Sequence, residues 1–367
     1  MKNIKYAGFD KLESFMKDVF IKEGVPAEDA AICAEVLIES DKRGIDSHGV
    51  GRFKPVYIDR IRDGIQNPVT NFEIVKDHLA TAVVDGHDGM GQVIGKKSMQ
   101  MAIEKAKKYG LGMVVARNST HYGIAGYYAA MAAQENMIGI TGTNARPSIA
   151  PTFGVDNMLG TNPLTFGMPA DEEFPFVLDC ATSVSQRGKI EHYDRINKTM
   201  PDGWVINRNG TSETDPAKAL RGLNSDTCAL APLGGLGEEG AGYKGYGYAT
   251  VVEILSAALQ QGQFLRALNG FDADGKKIPF HLGHFFIAID ISAFVEPAQF
   301  RKTTGDILRE LRASAKAPGQ QRIYTAGEKE YLAWLERKDT GVPLNDSLIK
   351  TLKLLIDEYE LNQYDFS

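Results

Sequence analysis

The sequence predicts an α/β fold with helical segments at both ends of the chain, on three observations. The apolar runs Leu79–Asp85, Leu111–Arg117 and Met137–Thr143 have the length and β-branched content of buried strands. Helical stretches at 92–109 and 125–136 separate them, which gives the β-α-β-α-β order of an α/β sheet. Residues 10–64 and 300–360 read as helical instead.

At the N-terminal end, Asp10 with Glu13 fits a capping box, and Leu12, Phe15, Met16, Val19 and Phe20 share one helical face. Pro26 suits the first turn of a second helix, which Gly44 ends. A third helical stretch carries Val50, Phe53, Tyr57, Ile58 and Ile61, and Pro55 must either kink it or mark its start. The runs 163–169 and 174–179 add candidate strands. Residues 189–232 are polar and turn-rich and read as a hairpin with loops. A helix over 245–262 precedes a strand at 284–291. The expected organisation is therefore a helical region, 1–75, packing with 300–367. An α/β region spans 76–299, with 189–232 as its hairpin subregion.

Composition narrows the partners. The chain has 367 residues, enough for two or three structural units around a substantial core. A net charge of −6 offers no basic field for nucleic acid, so an anionic substrate must be caught by local arginines. Cys33, Cys180 and Cys228 form no CxxC pair and read as free thiols of a reducing compartment. The first fifteen residues lack a signal-peptide core and no apolar run reaches membrane-spanning length, so a cytoplasmic location without membrane contact is expected.

One motif misleads. Residues 235–240, GLGEEG, match the glycine pattern of a dinucleotide turn. Glu238 and Glu239 would face the pyrophosphate, however, at a helix start that attracts anions. No strand ending in an acidic residue follows to hold a ribose, and the position is late in the chain. The segment reads as a glycine-rich turn, so any nicotinamide nucleotide is held by a non-Rossmann arrangement.

The strongest constellation is Asp46-Ser47-His48-Gly49-Val50-Gly51-Arg52. If the segment is helical, His48 and Arg52 stand one turn apart on one face. A guanidinium fork grips a carboxylate while an imidazole exchanges a hydroxyl proton, which suits a 2-oxo or 2-hydroxy acid. Ser47 and Asp46 would orient the imidazole; the bland alternative is a helix cap followed by an exposed His and Arg. Ser119-Thr120-His121-Tyr122-Gly123 follows a strand, where α/β proteins line ligand crevices, so His121 is a second acid/base or a ligand-binding group. The turns 141–144 and 160–163, and Asp179 to Ser183, offer small and hydroxyl residues where backbone amides can meet anions. Lys244 at the start of the late helix is a further candidate anchor. His281 and His284 lack a metal-ligand set, and no nucleophile elbow accompanies Ser47. No metal is expected.

Taken together, SHGVGR at 47–52, HYGIAGYYA at 121–129, TGTNARP at 141–147, GTNPLTFGMPA at 160–170, DCATS at 179–183, GYKGYG at 242–247 and HFFIAID at 284–290 resemble the type-2 malate/L-lactate dehydrogenase family. The resemblance runs from about residue 10 to 340 and takes in PDGWVINRNGTSETDP, similar to the family's middle hairpin. It implies an L-sulfolactate dehydrogenase-like fold: a non-Rossmann mixed sheet that binds NAD or NADP, flanked by helical regions, in a homodimer. It implies His48 as proton donor, Ser47 as its relay and Arg52 as the clamp on the substrate carboxylate. His121 matches a histidine proposed as base in ureidoglycolate enzymes, so which histidine moves the proton stays open. Thr161, Arg187 and Gly188 fall at substrate positions. Leu178, Asp179, Cys180, Ala181, Thr182, Ser183, Tyr243 and Lys244 fall at cofactor or substrate positions, and Gly327 and Glu328 at a late cofactor contact. Lys189 stands where some reductases carry an acid, and Ala326 where proline is frequent.

The resemblance favours malate and oxaloacetate, with Arg146 available to a second carboxylate. The alternatives are a ureidoglycolate, lactate, sulfolactate or cyclic-imine activity on the same scaffold, a catalytically silent ligand-binding homodimer, or a hydrolase built on Ser47 and His48.

Overall fold

The computed structural model describes residues 4–366. Strand β1 (Lys5–Ala7) leads into helices α1 (Phe9–Lys22) and α2 (Ala27–Lys42). A short helical turn α3 (Val50–Arg52) widens into a π-helical turn (Phe53–Ile58) and closes as α4 (Asp59–Arg62). The sheet region follows: β2 (Glu73–His78), β3 (Thr81–Asp85), α5 (Gly91–Tyr109), β4 (Leu111–Ser119), α6 (Ala125–Gln134), β5 (Met137–Thr143), β6 (Leu164–Met168) and β7 (Phe176–Cys180). Beyond it come α7 (Arg187–Arg195), β8 (Val205–Asn207), α8 (Pro216–Asn224), β9 (Cys228–Leu230), α9 (Gly242–Ala257) and β10 (Leu282–Asp290). The chain ends in α10 (Pro297–Ala313), α11 (Glu328–Thr340), β11 (Val342–Leu344) and α12 (Asp346–Tyr359).

The central sheet has seven strands in the order β2-β3-β4-β10-β5-β6-β7. Only β3 and β4 pair in parallel; every other neighbour pair is antiparallel. The sheet is therefore mixed and is not a Rossmann sheet. Strands β4 and β5, read from sequence as successive units of a crossover, do run the same way, but β10 lies between them and bonds to both. The ends of β4 and β5 and the start of β10 consequently share one edge of the sheet, and that edge carries the site.

The helical ends pack together. Phe15 and Phe20 from α1, Phe53 and Tyr57 from the π-turn, and Leu352 and Leu355 from α12 belong to one buried apolar cluster. Each such fully buried aromatic or leucine contributes roughly 1.5–3 kcal/mol. Tyr57 presents its ring at 6.2 Å to Phe20 in a T-shaped contact, so a residue of the site is seated on the N-terminal core.

Four local expectations need correction. Gly8, not Asp10, caps α1, and no side chain completes the cap, because Asp10 already lies inside the first turn. Pro26 is the residue before α2 rather than within it. Pro55 neither breaks nor starts its helix: the chain absorbs the missing N–H by widening into the π-turn. Residues 189–232 hold most of α7 and all of α8 around the β8-β9 pair, not only a hairpin and loops. Helix α7 buries only Ile190, so it shows no apolar repeat, while α8 is capped by Asp215 with Pro216 in its first turn, a signal that also reads as a loop.

Candidate active site

His48 and Arg52 do not share a helical face. Residues 46–48 form a turn and the helix begins only at Val50. Ser47 Oγ lies 2.8 Å from His48 Nδ1, and Arg52 Nε donates to the carbonyl of Ser47 at 2.7 Å. The serine backbone thus does what the helix was expected to do, and brings the guanidinium beside the imidazole with neither Nη group bonded among the described residues. The turn is anchored from below, where the buried carboxylate of Asp41 accepts the Val50 N–H at 2.7 Å. Gly49 is required here, because a β-carbon would overlap that carboxylate. From α11, Arg337 bonds the Asp41 carbonyl and pairs with Asp46 at 3.0 Å.

His121, just past the end of β4, stacks on His48 with ring centroids 5.8 Å apart and planes inclined by 20°. Its Nδ1 lies 2.7 Å from the Tyr57 hydroxyl and accepts the Gly123 N–H at 3.3 Å. A backbone N–H can only donate, so Nδ1 carries a lone pair and the ring proton sits on Nε2. Burial, with Arg52 adding, pulls the His48 pKa down to about 4. Burial likewise holds His121 well below the usual imidazole range, with His48, Arg60 and Arg52 adding to the effect. Burial therefore favours the neutral form of both rings, and an anion on Arg52 would favour protonation of His48.

His284, three residues after His281, has both ring nitrogens engaged within the protein. It is fully buried, bonds Thr143 and Ser119 at 2.7 Å each, and stacks on Tyr122 at 4.4 Å. His281 turns instead to Asp88 at 2.9 Å.

A cleft of about 570 Å³ adjoins this cluster, within the range of small-molecule sites. Its walls include Ile45 and Ile124, each three residues from one of the stacked histidines, together with Leu178, Asp179 and Gly327. Three positions expected to meet a cofactor are thus gathered in one cleft. Asp179 accepts the Gly126 N–H at 2.6 Å and Thr165 Oγ1 at 3.1 Å. Thr182 donates its N–H to the Thr161 carbonyl at 2.9 Å, and the buried Ser183 hydroxyl has no partner among the described residues. Cys180, the last residue of β7, and Ala181 after it link the two groups.

Other expected residues stand apart. Arg187 is exposed and engaged by Glu191 and Asn224, and Gly188 adjoins it in α7 with open space about its α-carbon. Tyr243 is exposed, and Lys244 lies over its ring. Glu328 is 1% exposed and paired with Arg322, which leaves its carboxylate committed within the protein. Tyr57 and Arg60 escaped sequence reading: Tyr57 passed as a core residue, although a buried phenol needs a hydrogen-bond partner.

A mixed sheet whose neighbouring strands are mostly antiparallel, carrying a histidine pair and a guanidinium without a carboxylate partner among the described residues, is an enzyme architecture outside the Rossmann dehydrogenases. A profile described as malate/L-lactate dehydrogenase matches residues 8–353. The malate dehydrogenase of Pyrococcus horikoshii is 43% identical over 343 residues, 94% of this chain and 92% of that protein. The L-sulfolactate dehydrogenase of Methanocaldococcus jannaschii is 40% identical over 351 residues, 95% and 96% of the two chains. The crystal structure of malate dehydrogenase from Entamoeba histolytica superposes with a TM-score of 0.94 at 46% identity, covering 98% of this chain and 99% of that one. The chain belongs to the malate/L-lactate dehydrogenase family.

Proposed function

We propose that the protein interconverts malate and oxaloacetate, with NAD or NADP as the redox partner. The stacked pair His48–His121 beside Arg52, with Ile45 and Ile124, three residues from each ring, in the wall of the 570 Å³ cleft, is the observation that carries this reading. The cleft suits a dinucleotide in its size and in its lining by Leu178, Asp179 and Gly327. A bound nicotinamide supplies or accepts the hydride.

The chain's own residues handle the acid. Arg52 holds the carboxylate next to the reacting carbon through its two free Nη groups. His121 donates from Nε2 to the substrate oxygen, its tautomer fixed by Gly123 and Tyr57. His48 carries the proton. Its Nδ1 faces a hydroxyl, which can donate to the neutral ring or accept from the imidazolium, so both protonation states are hydrogen-bonded. Protonating His121 at Nδ1 would instead cost the Gly123 contact. A positioned acid of this kind contributes about 10²–10⁴-fold in rate.

The pairing of two chains through α9 fits the same reading. Tyr248, Val251 and Ile254 form an exposed apolar stripe there, about 47–55% accessible each, which a second copy would cover. The buried free thiols Cys33 and Cys228 accord with a reducing, cytoplasmic setting. Oxaloacetate added with NADH, then with NADPH, tests the assignment by loss of nicotinamide absorbance. Turnover with either supports it; cofactor-independent turnover, or none with any 2-oxo acid, removes it.

A further inference from the structure

We propose that Arg60 and Arg146 form a second anion subsite that receives the distal acidic group of the substrate and makes the enzyme select dianionic over monoanionic 2-oxo acids. The inference rests on the activity proposed above and adds the residues that set its specificity.

The topology places both arginines at the site. Strands β4 and β5 run parallel on either side of β10, so their C-terminal ends meet one sheet edge. His121 stands two residues past the end of β4 and Arg146 three past the end of β5. The Phe280 ring, two residues before β10, comes to the same edge, and the Arg60 guanidinium lies over it at 4.5 Å. Arg60 also follows Tyr57 by three residues across the π-turn into α4, so the two share a face, and Tyr57 already reaches His121. Arg60 is therefore held against an aromatic ring on the side of its helix that carries Tyr57.

None of the three arginines is neutralised. Among the described residues, Arg52, Arg60 and Arg146 form no ion pair with a carboxylate, although other arginines do, Arg117 with Asp85 and Arg337 with Asp46 among them. Arg60 is half-buried, and burial together with the neighbouring Arg146 and Arg52 lowers its pKa from the usual guanidinium value. Arg146 is exposed and Arg60 partly buried, and like charges facing one another without an acid favour an arriving anion. One guanidinium satisfies the carboxylate beside the reacting carbon; the other two are left for a group carried one or two carbons away. A carboxylate or a sulfonate meets that description, and a methyl group does not.

Arg60→Gln and Arg146→Gln, each assayed with oxaloacetate and with 2-oxobutyrate, separate specificity from structure. The proposal expects kcat/KM for oxaloacetate to fall about 10- to 100-fold in each variant, the range of one charge-assisted hydrogen bond. It expects 2-oxobutyrate to stay within about threefold of the unaltered enzyme. Equal losses on both acids, no loss on either, or a KM shift confined to the cofactor would overturn it, the last by assigning the arginines to cofactor phosphates. A binding readout is independent of turnover: succinate should raise the melting temperature of the unaltered protein but not of Arg60→Gln, and butyrate should raise neither. If the unaltered protein reduces no 2-oxo acid yet shows that pattern, the subsite stands and the activity falls. If turnover is present and succinate protects both proteins equally, the subsite falls and the activity stands.

Discussion

The Tyr57 hydroxyl stands 2.7 Å from Nδ1 of His121, on the nitrogen that also receives the Gly123 N–H. This pairing joins the N-terminal core, where Tyr57 is fully buried, to the end of β4, where the chemistry sits. Tyr57→Phe keeps the packing and the Gly123 contact but loses the hydroxyl. A hydrogen bond of this type is worth about 0.5–1.5 kcal/mol net, so kcat/KM for the 2-oxo acid is expected to fall roughly 2- to 13-fold. Steady-state kinetics beside a melting curve checks it; an unchanged kcat/KM would show that His121 needs no tyrosine to hold its tautomer.

Acid binding is expected to take up a proton. Burial and then Arg52 bring the His48 pKa to about 4 in the unliganded protein, and a carboxylate on Arg52 cancels the second of these. With the bound value above the free one, affinity for a carboxylate inhibitor such as oxamate rises as pH falls between the two, by up to about tenfold per pH unit. Titration by calorimetry in buffers of different ionisation enthalpy reads the proton directly. A pH-independent affinity without proton uptake would contradict the role given to His48.

Asp41 is expected to make the fold sensitive to base. Burial, which outweighs the Val50 N–H, raises its pKa to about 8, above the unfolded carboxylate value. Protonation therefore favours the folded state: the contribution is complete below the unfolded pKa and is lost as pH rises through about 8. Asp41→Asn keeps an acceptor for Val50 and cannot ionise, so its melting temperature should gain on that of the unaltered protein between about pH 6 and pH 9.5. Parallel curves for the two proteins would count against a neutral carboxyl under the His48 turn.

Gly49→Ala should disrupt the same anchor. The added β-carbon overlaps the Asp41 carboxylate, and the turn holding His48 and Arg52 must move. Overpacking of this kind costs about 1–3 kcal/mol. Chemical denaturation should show that loss, and turnover should fall by more than stability accounts for. Wild-type turnover would mean the turn tolerates displacement.

Much of the architecture was legible because buried strands and amphipathic helices carry their own periodicity. Val114, Val115 and Ala116 announce β4, and Phe15, Met16 and Val19 announce α1. The sheet order was not legible, because β10 enters between β4 and β5 after more than a hundred intervening residues and nothing local encodes its partners. Strand β2 is exposed along its whole length, so it has no apolar alternation to read. At the site, His48, Arg52 and His121 were found through their chemistry, yet their arrangement was misread: a Ser47 carbonyl, not a helical turn, joins His48 to Arg52. Asp41, Tyr57 and Arg60 were missed because each acts through a contact distant in sequence or through the π-turn that Pro55 imposes.

The measurement that bears most directly on the account is turnover of His48→Ala with oxaloacetate and a reduced nicotinamide cofactor, with cofactor affinity measured on the same sample. The account predicts kcat lower by about 10²–10⁴-fold with cofactor binding nearly unchanged. Retained turnover would contradict it by taking the proton transfer away from His48.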